Sequence, residues 1–344
     1  MKKSAALFVL VFFSLFLTLN TLFAQRGGRA QETIEIRLAS PLPRNSDWGR
    51  VLDRIAAEWT RVTSNQVRLR VIHDGLEGSE AKMLSSLSAD NIQAALFTSA
   101  GLAEVCPAVM TLSVPFLIRN NAELDLVLAE AISVLDEHMN RTNFVAICWS
   151  KGGWVNIFSR ETVLVPDDLR RQRLGTNSEL KDVNTAFKTM GFQLVETDLV
   201  EFGTRLASNV INAIYLIPEA IAPLGLHRSL TNMLDMPIAP IMGAIVMNRV
   251  TWNKLGAERQ RELVNVTQRI VTDFETTMLR TSANAITAMQ RDGLKINRPS
   301  QAQEDLWRTE VGKVMPVLLG TGTAIDRNLY NRITIILERS RNRQ

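Results

Sequence analysis

Histidine and cysteine are scarce in this chain of 344 residues, with three of the first and two of the second. That scarcity removes most metal and nucleophile chemistry at the outset. His73, His138 and His227 are scattered, and neither Cys106 nor Cys148 stands at a metal-ligand spacing, so no metal and no cofactor is expected. There is no GxSxG elbow, no phosphate-binding glycine loop and no HExxH. Asp167-Asp168 and the group Glu196, Asp198 and Glu201 are dense in carboxylate, but acidic residues beside turns and helix starts serve the backbone N–H groups there. The chain is therefore not expected to be an enzyme.

A strong charge of one sign is also missing. The formal net charge is +4, and two of those charges are Lys2 and Lys3 in a segment expected to be removed. Arg339, Arg341 and Arg343 gather in a C-terminal tail, and no basic stripe interleaved with aromatics occurs, which argues against a nucleic-acid partner. Only the N-terminus has a long apolar run. Residues 1–24 read as a signal peptide: Lys2 and Lys3 form the charged region, Ala5 to Leu19 the apolar one, and Ala24 the small residue before cleavage at Gln25. The run is short against the roughly 20 residues a bilayer needs, an uncleaved anchor being the alternative. No cysteine stands at the cleavage site, which excludes a bacterial lipoprotein. The expected destination is the periplasm, an oxidising compartment in which Cys106 and Cys148 could pair; two buried free thiols acting as small hydrophobes is the preferred alternative.

What is present is enough to build a large core, with 46% hydrophobic and 22% charged residues. Alternating Ile34, Ile36 and Leu38 predict a strand over Ile34 to Ser40. Trp48, Val51, Ile55 and Trp59 follow at helical spacing, Val67 to Ile72 is a second strand, Glu80 to Leu87 a helix and Asn91 to Ser99 a third strand. The same succession returns later. Leu169 to Thr176 reads as a strand, Val183, Phe187 and Met190 as a helix closed by Gly191, Gln193 to Glu196 as a strand, Phe202 to Ser208 as a helix and Val210 to Leu216 as a strand. Two such halves predict two α/β lobes facing one another. From about Ala257 to Arg291 there is neither proline nor glycine, and Leu263, Ile270, Phe274, Met278, Ala285 and Met289 recur along one face, so one very long helix or a bent pair is expected. Gln301 to Leu319 and Asn328 to Arg341 are further helices.

The pattern resembles a known family, the solute-binding P subunits of TRAP (tripartite ATP-independent periplasmic) transporters. The resemblance rests on Pro43-Arg44-Asn45-Ser46-Asp47-Trp48-Gly49, on Gly78-Ser79-Glu80 with Met83-Leu84, on Pro115-Phe116-Leu117-Ile118-Arg119, on Asp168-Leu169-Arg170, on the run Leu206 to Ile217 and on Thr251 to Leu255. It implies a two-lobed periplasmic-binding-protein-like fold with a long helix spanning both lobes. The expected division is a first lobe over 32–150 with crossover contributions from the C-terminal part, a second over 151–250, and the spanning helix with C-terminal helices over 251–344, packed on both lobes. It also implies membrane permease subunits as partners.

The family's arginine that clamps a substrate carboxylate aligns with Gly175, and its polar Gln-Glu-Asn stretch with Ile214, Tyr215 and Leu216. Arg173 is the alternative clamp, two residues away on the same face of the strand. Without a guanidinium partner a buried carboxylate is strongly disfavoured, so a small, hydrophobic ligand is expected. Trp48, Phe116, Trp154, Gly175, Asn177, Tyr215, Leu216, Met236 and Met242 are the expected lining of the inter-lobe crevice. Any one of its aromatics and methionines reads equally well as core. Val155 stands where many relatives carry a polar or basic residue. Glu80 is expected to orient pocket side chains or simply to sit at a helix start. Asn177 reads as a ligand donor or a helix cap, and Asn212 as a ligand donor or a satisfied strand residue. P subunits without the clamp occur with an extra periplasmic tetratricopeptide-repeat protein, which adds such a partner to the expectations. The rival reading on the same scaffold is an interaction or sensor subunit that binds no solute.

Overall fold

The structure, a computed structural model, describes residues 33–343. The expected signal segment lies outside the described residues. The chain opens with β1 (Ile34–Ala39), α1 (Asp47–Val62), β2 (Val67–Ile72), α2 (Glu80–Ser88) and β3 (Ala94–Thr98). Ser46 and Ser79 start the two helices by accepting hydrogen bonds from Gly49 N and Lys82 N, which satisfies donors the helix itself leaves unpaired. β1 lies between β2 and β3 and is parallel to both. A 3-10 run over Pro107–Ser113 and α3 (Asn121–Asn140) then lead to β4 (Phe144–Ser159).

β4 is the first element that belongs to both lobes. Its 16 residues pair antiparallel with a later strand from Phe144 to Val155, then with the second-lobe strand Ala213–Leu216 from Asn156 to Ser159. The second lobe is built from β5 (Arg173–Asn177), α4 (Lys181–Thr189), β6 (Gln193–Thr197), α5 (Phe202–Ala207), β7 (Ala213–Leu216), α6 (Pro218–Ile221) and β8 (Asn232–Leu234). β9 (Ala239–Asn248) returns to the first lobe, pairing with β4 on one side and with β3 on the other. The resulting sheet runs β2-β1-β3-β9-β4-β7-β5-β6. The stretch 239–248, within the range the sequence suggested for the second lobe, thus completes the first sheet, because an apolar strand covered on both faces is most stable in mid-sheet.

The proline- and glycine-free segment forms one helix, α7 (Ala257–Arg291), of 35 residues and about 50 Å. Leu263, Val266 and Ile270 near its start join the core of the first lobe with Trp48, Ile55 and Trp59. Met289 near its end joins the core of the second with Phe158, Phe202 and Ile214. β10 (Lys295–Asn297), α8 (Gln301–Leu318) and α9 (Arg327–Arg341) follow. Trp307 of α8 packs beside Phe192, with its Nε1 donating to Leu164 O, while Leu329, Ile333 and Leu337 of α9 lie in the cluster that holds Leu124, Val127 and Leu135 of α3. The fold is α/β and two-lobed, with a helix common to both cores.

Candidate functional site

Parallel strands end in the gap between the lobes. Thr98 and Ser99 close β3 on one side, and Asn177 and Leu216 end β5 and β7 on the other. Between them lies a cavity of about 70 Å³ lined by Glu80, Ser113, Val155, Tyr215, Pro240 and Ile241 together with those strand ends. Leu180, Val183, Leu199 and Phe202 supply its second-lobe wall. No lysine or arginine among the described residues lines it.

Among the described residues, Glu80 is the one carboxylate in this wall. It is 4% exposed, at the first turn of α2. Thr98 N donates to its Oε2 at 2.7 Å and Thr98 Oγ1 to its Oε1 at 2.6 Å, with a further bond from the Gly101 backbone. Glycine at 101 is required, since a Cβ there would collide with Glu80 Oε2. Burial pushes the Glu80 carboxyl up to about 7, against the hydrogen bonds from Thr98, and the Glu179 carboxylate facing it adds to the rise. Burial likewise raises the Tyr215 hydroxyl, and no hydrogen-bond partner is found for that hydroxyl among the described residues.

The lobes touch around this cavity. Glu179 Oε1 accepts from Ala81 N at the start of α2 at 2.7 Å, and Lys181 Nζ meets Glu104 Oε1 at 2.6 Å. Burial raises the Glu179 carboxyl also, the bond from Ala81 opposing it.

Of the residues expected from the sequence, Glu80, Asn177, Tyr215 and Leu216 meet at this cavity, as does Val155. The others lie elsewhere. Trp154 alternates with Val155 along β4 and so faces the opposite side, where it lines a cleft of about 320 Å³ with Lys151, Glu219, Glu275 and Asn121, to whose Oδ1 it donates. Trp48 lines a small hollow of about 30 Å³ and meets Phe274 of α7 edge to face at 5.0 Å. Met236 and Met242 are buried in the large cluster beneath the crevice. Phe116 is partly buried against the same large cluster, with Arg308 over its ring.

Gly175 is at mid-strand, and a Cβ there would stand 2.7 Å from Ile211 Cδ1. Arg173 begins β5 at the far end, its guanidinium donating to Asn209 O at 2.9 Å and Val210 O at 3.2 Å. Neither candidate clamp position lines the cavity. The reason is local. Pro166–Arg170 is a short helix rather than the start of a strand, with Asp168 Oδ2 accepting from Leu164 N and Val165 N, so β5 begins later and ends at Asn177. Asn177 does not cap α4. Its Oδ1 accepts from Glu179 N and shapes the turn ahead of it. Asn212 is a satisfied structural group, accepting from Arg173 N at 2.7 Å. Thr98, Ser99, Val183 and Phe202 also line the cavity and are not singled out by the residue pattern, although the rule that ligands lie beyond the carboxyl ends of parallel strands points to the first two. Cys106 and Cys148 are buried free thiols, and burial pushes each up to about 12.

Two α/β lobes joined by crossing strands and a common helix, with a cavity between facing strand ends, define a solute receptor. The chain belongs to the bacterial extracellular solute-binding proteins, family 7 (DctP), whose family profile matches residues 38–318. It is a family of periplasmic solute receptors rather than of enzymes. Among curated proteins the chain is 24% identical over 213 residues to the 2,3-diketo-L-gulonate-binding periplasmic protein YiaO of Escherichia coli K12, covering 60% of this chain and 63% of that one. Among solved structures it is similar to a TRAP periplasmic solute-binding protein from Desulfovibrio salexigens with bound orotic acid (TM-score 0.81, 16% identity, 89% of this chain and 99% of that one). It is similar also to the sugar acid binding protein DctPAm from Advenella mimigardefordensis with galactonate (TM-score 0.82, 14% identity, 90% and 99%). No helix among the described residues is long and apolar enough to cross a membrane.

Proposed function

We propose that this protein is the solute-capturing subunit of a TRAP-type transporter, exported by cleavage of residues 1–24, and that it takes a small, largely apolar solute without a carboxylate and hands it to membrane permease subunits. One observation carries the ligand class: the crevice wall is apolar, holds a buried carboxyl and offers no cation. A carboxylate ligand would lose its hydration with nothing to replace it and would face Glu80. The two solved neighbours above hold orotic acid and galactonate; the lining here supports a different preference. The unpaired Tyr215 hydroxyl and the Asn177 amide are the groups available to a ligand's few polar atoms. A tetratricopeptide-repeat partner belongs to the same reading, and native co-purification that recovers no such protein would remove it.

The volume of about 70 Å³ favours a second reading, since ligand sites usually reach about 300 Å³ or more. On it, Tyr215, Phe202 and Leu180 fill the crevice and the chain is an interaction subunit. Native mass spectrometry of the periplasmic protein, followed by solvent extraction, separates the readings. A released apolar molecule supports capture, a released carboxylate overturns the ligand class, and an empty protein that no solute stabilises supports the second reading.

A further inference from the structure

Phe116, displaced from the crevice, marks a different surface. Its φ is +60°, in the left-handed region that bulky residues rarely adopt, and its N–H donates to Ile238 O at 2.8 Å. Arg308 of α8 lies over its ring with Cζ 5.3 Å from the centroid. Arg341, at the end of α9, donates to Leu117 O at 2.7 Å and clasps Glu123 through two bonds of 2.8 and 2.7 Å. Arg119 gives only its backbone N–H to Glu123, at 2.8 Å, and its exposed guanidinium has no carboxylate partner among the described residues. Glu123 is therefore used up by Arg341, and among the described residues Arg308 pairs only with Glu304, at 3.2 Å one helical turn away. Partial burial and the charges of Arg341 and Arg308 hold the Arg119 guanidinium below its ordinary range, so the three cations feel one another.

The cluster straddles the two lobes. Arg308 rides on α8, which packs on α4 of the second lobe, while Arg341 rides on α9, which packs on α3 of the first. Cations carried on elements of both lobes suit a partner that presents several carboxylates together, as an acidic chain segment does.

We propose that Arg119 and Arg308, set around Phe116 and backed by Arg341, form a docking surface for an acidic segment of a protein partner, one that grips both lobes at once and so distinguishes their relative positions. The geometry matches the planar, two-pronged recognition of carboxylates by guanidinium groups. The proposal is independent of what the crevice holds, and its probe is read without any solute, so its failure and that of the transport reading are distinct.

The test is fluorescence polarisation of a labelled hexaglutamate peptide on the mature protein at low salt. Arg119→Gln, which removes no side-chain hydrogen bond or ion pair found among the described residues, should weaken binding several-fold, and Arg119→Gln with Arg308→Gln by about tenfold or more. Arg70→Gln, which removes an exposed charge on β2, should leave it unchanged. Equal losses in all variants, or no binding by the wild type, would overturn the proposal. Citrate competing as well as the peptide would also overturn it, assigning the cluster to free anions instead.

Discussion

Glu80 sits where a carboxylate is least comfortable, walled by apolar side chains and held by Thr98. Its carboxyl is raised to about 7 in the folded protein against an ordinary 4.5. The unfolded chain therefore releases this proton first, and the stability linked to it is present below pH 4.5 and is lost as pH rises to 7. The loss approaches about 3 kcal/mol for a shift of this size. Glu80→Gln should flatten that slope, as measured by urea unfolding at pH values on either side of this window; parallel slopes for the two proteins would show that Glu80 titrates normally. The second residue-scale test concerns the missing clamp. Gly175→Arg should not create a carboxylate site. It drives a side chain into Ile211 and leaves a guanidinium buried without a partner, costing about 3 kcal/mol or more. A folded Gly175→Arg protein that gains galactonate binding would refute this placement of β5.

At the scale of elements, β4 joins the lobes and Gly153 is its weak point. The register with β9 shifts between Lys151 and Gly153, and Gly153 has a φ of +108°. An added methyl would be strained and would stand 3.2 Å from Glu219 Oε2, an atom already buried without a partner. Gly153→Ala is expected to cost about 1–3 kcal/mol, read as a lowered Tm. An unchanged Tm would mean that the bulge relaxes freely. Elements with a plain period are legible in the sequence itself. The helical spacing of Trp48, Val51, Ile55 and Trp59, the alternation of Ile34, Ile36 and Leu38, and the unbroken run from Ala257 to Arg291 each state their own geometry. β5 is not legible in this way, because Asp168 accepts from Leu164 N and Val165 N and Leu169 and Arg170 become helical, so the strand runs over Arg173–Asn177 instead of starting at Leu169.

For the whole molecule, closure is the property that function would use. Among the polar contacts that link the lobes across the mouth are Glu179 on the N-terminus of α2 and Lys181 with Glu104. The second pair is exposed and contributes about 0–1 kcal/mol, whereas Glu179 is half-buried and meets the positive end of a helix. Glu179→Ala is expected to open the lobes, seen as a larger radius of gyration in small-angle scattering, while Lys181→Ala should change it little. Identical scattering from wild type and Glu179→Ala would place the control of closure elsewhere, in β4, β9 and α7.

Residue pattern alone determined the two α/β halves, the spanning helix and the order of the motifs, because each depends on neighbours within a few positions along the chain. Tertiary structure decided which residues face the crevice. Trp154 and Val155 are adjacent in sequence yet look to opposite sides of β4, Met236 and Met242 are buried in a cluster drawn from distant segments, and Phe116 packs against that cluster beneath Arg308. A side chain's face depends on where its strand begins and what packs over it, and both are set by residues far away in the sequence.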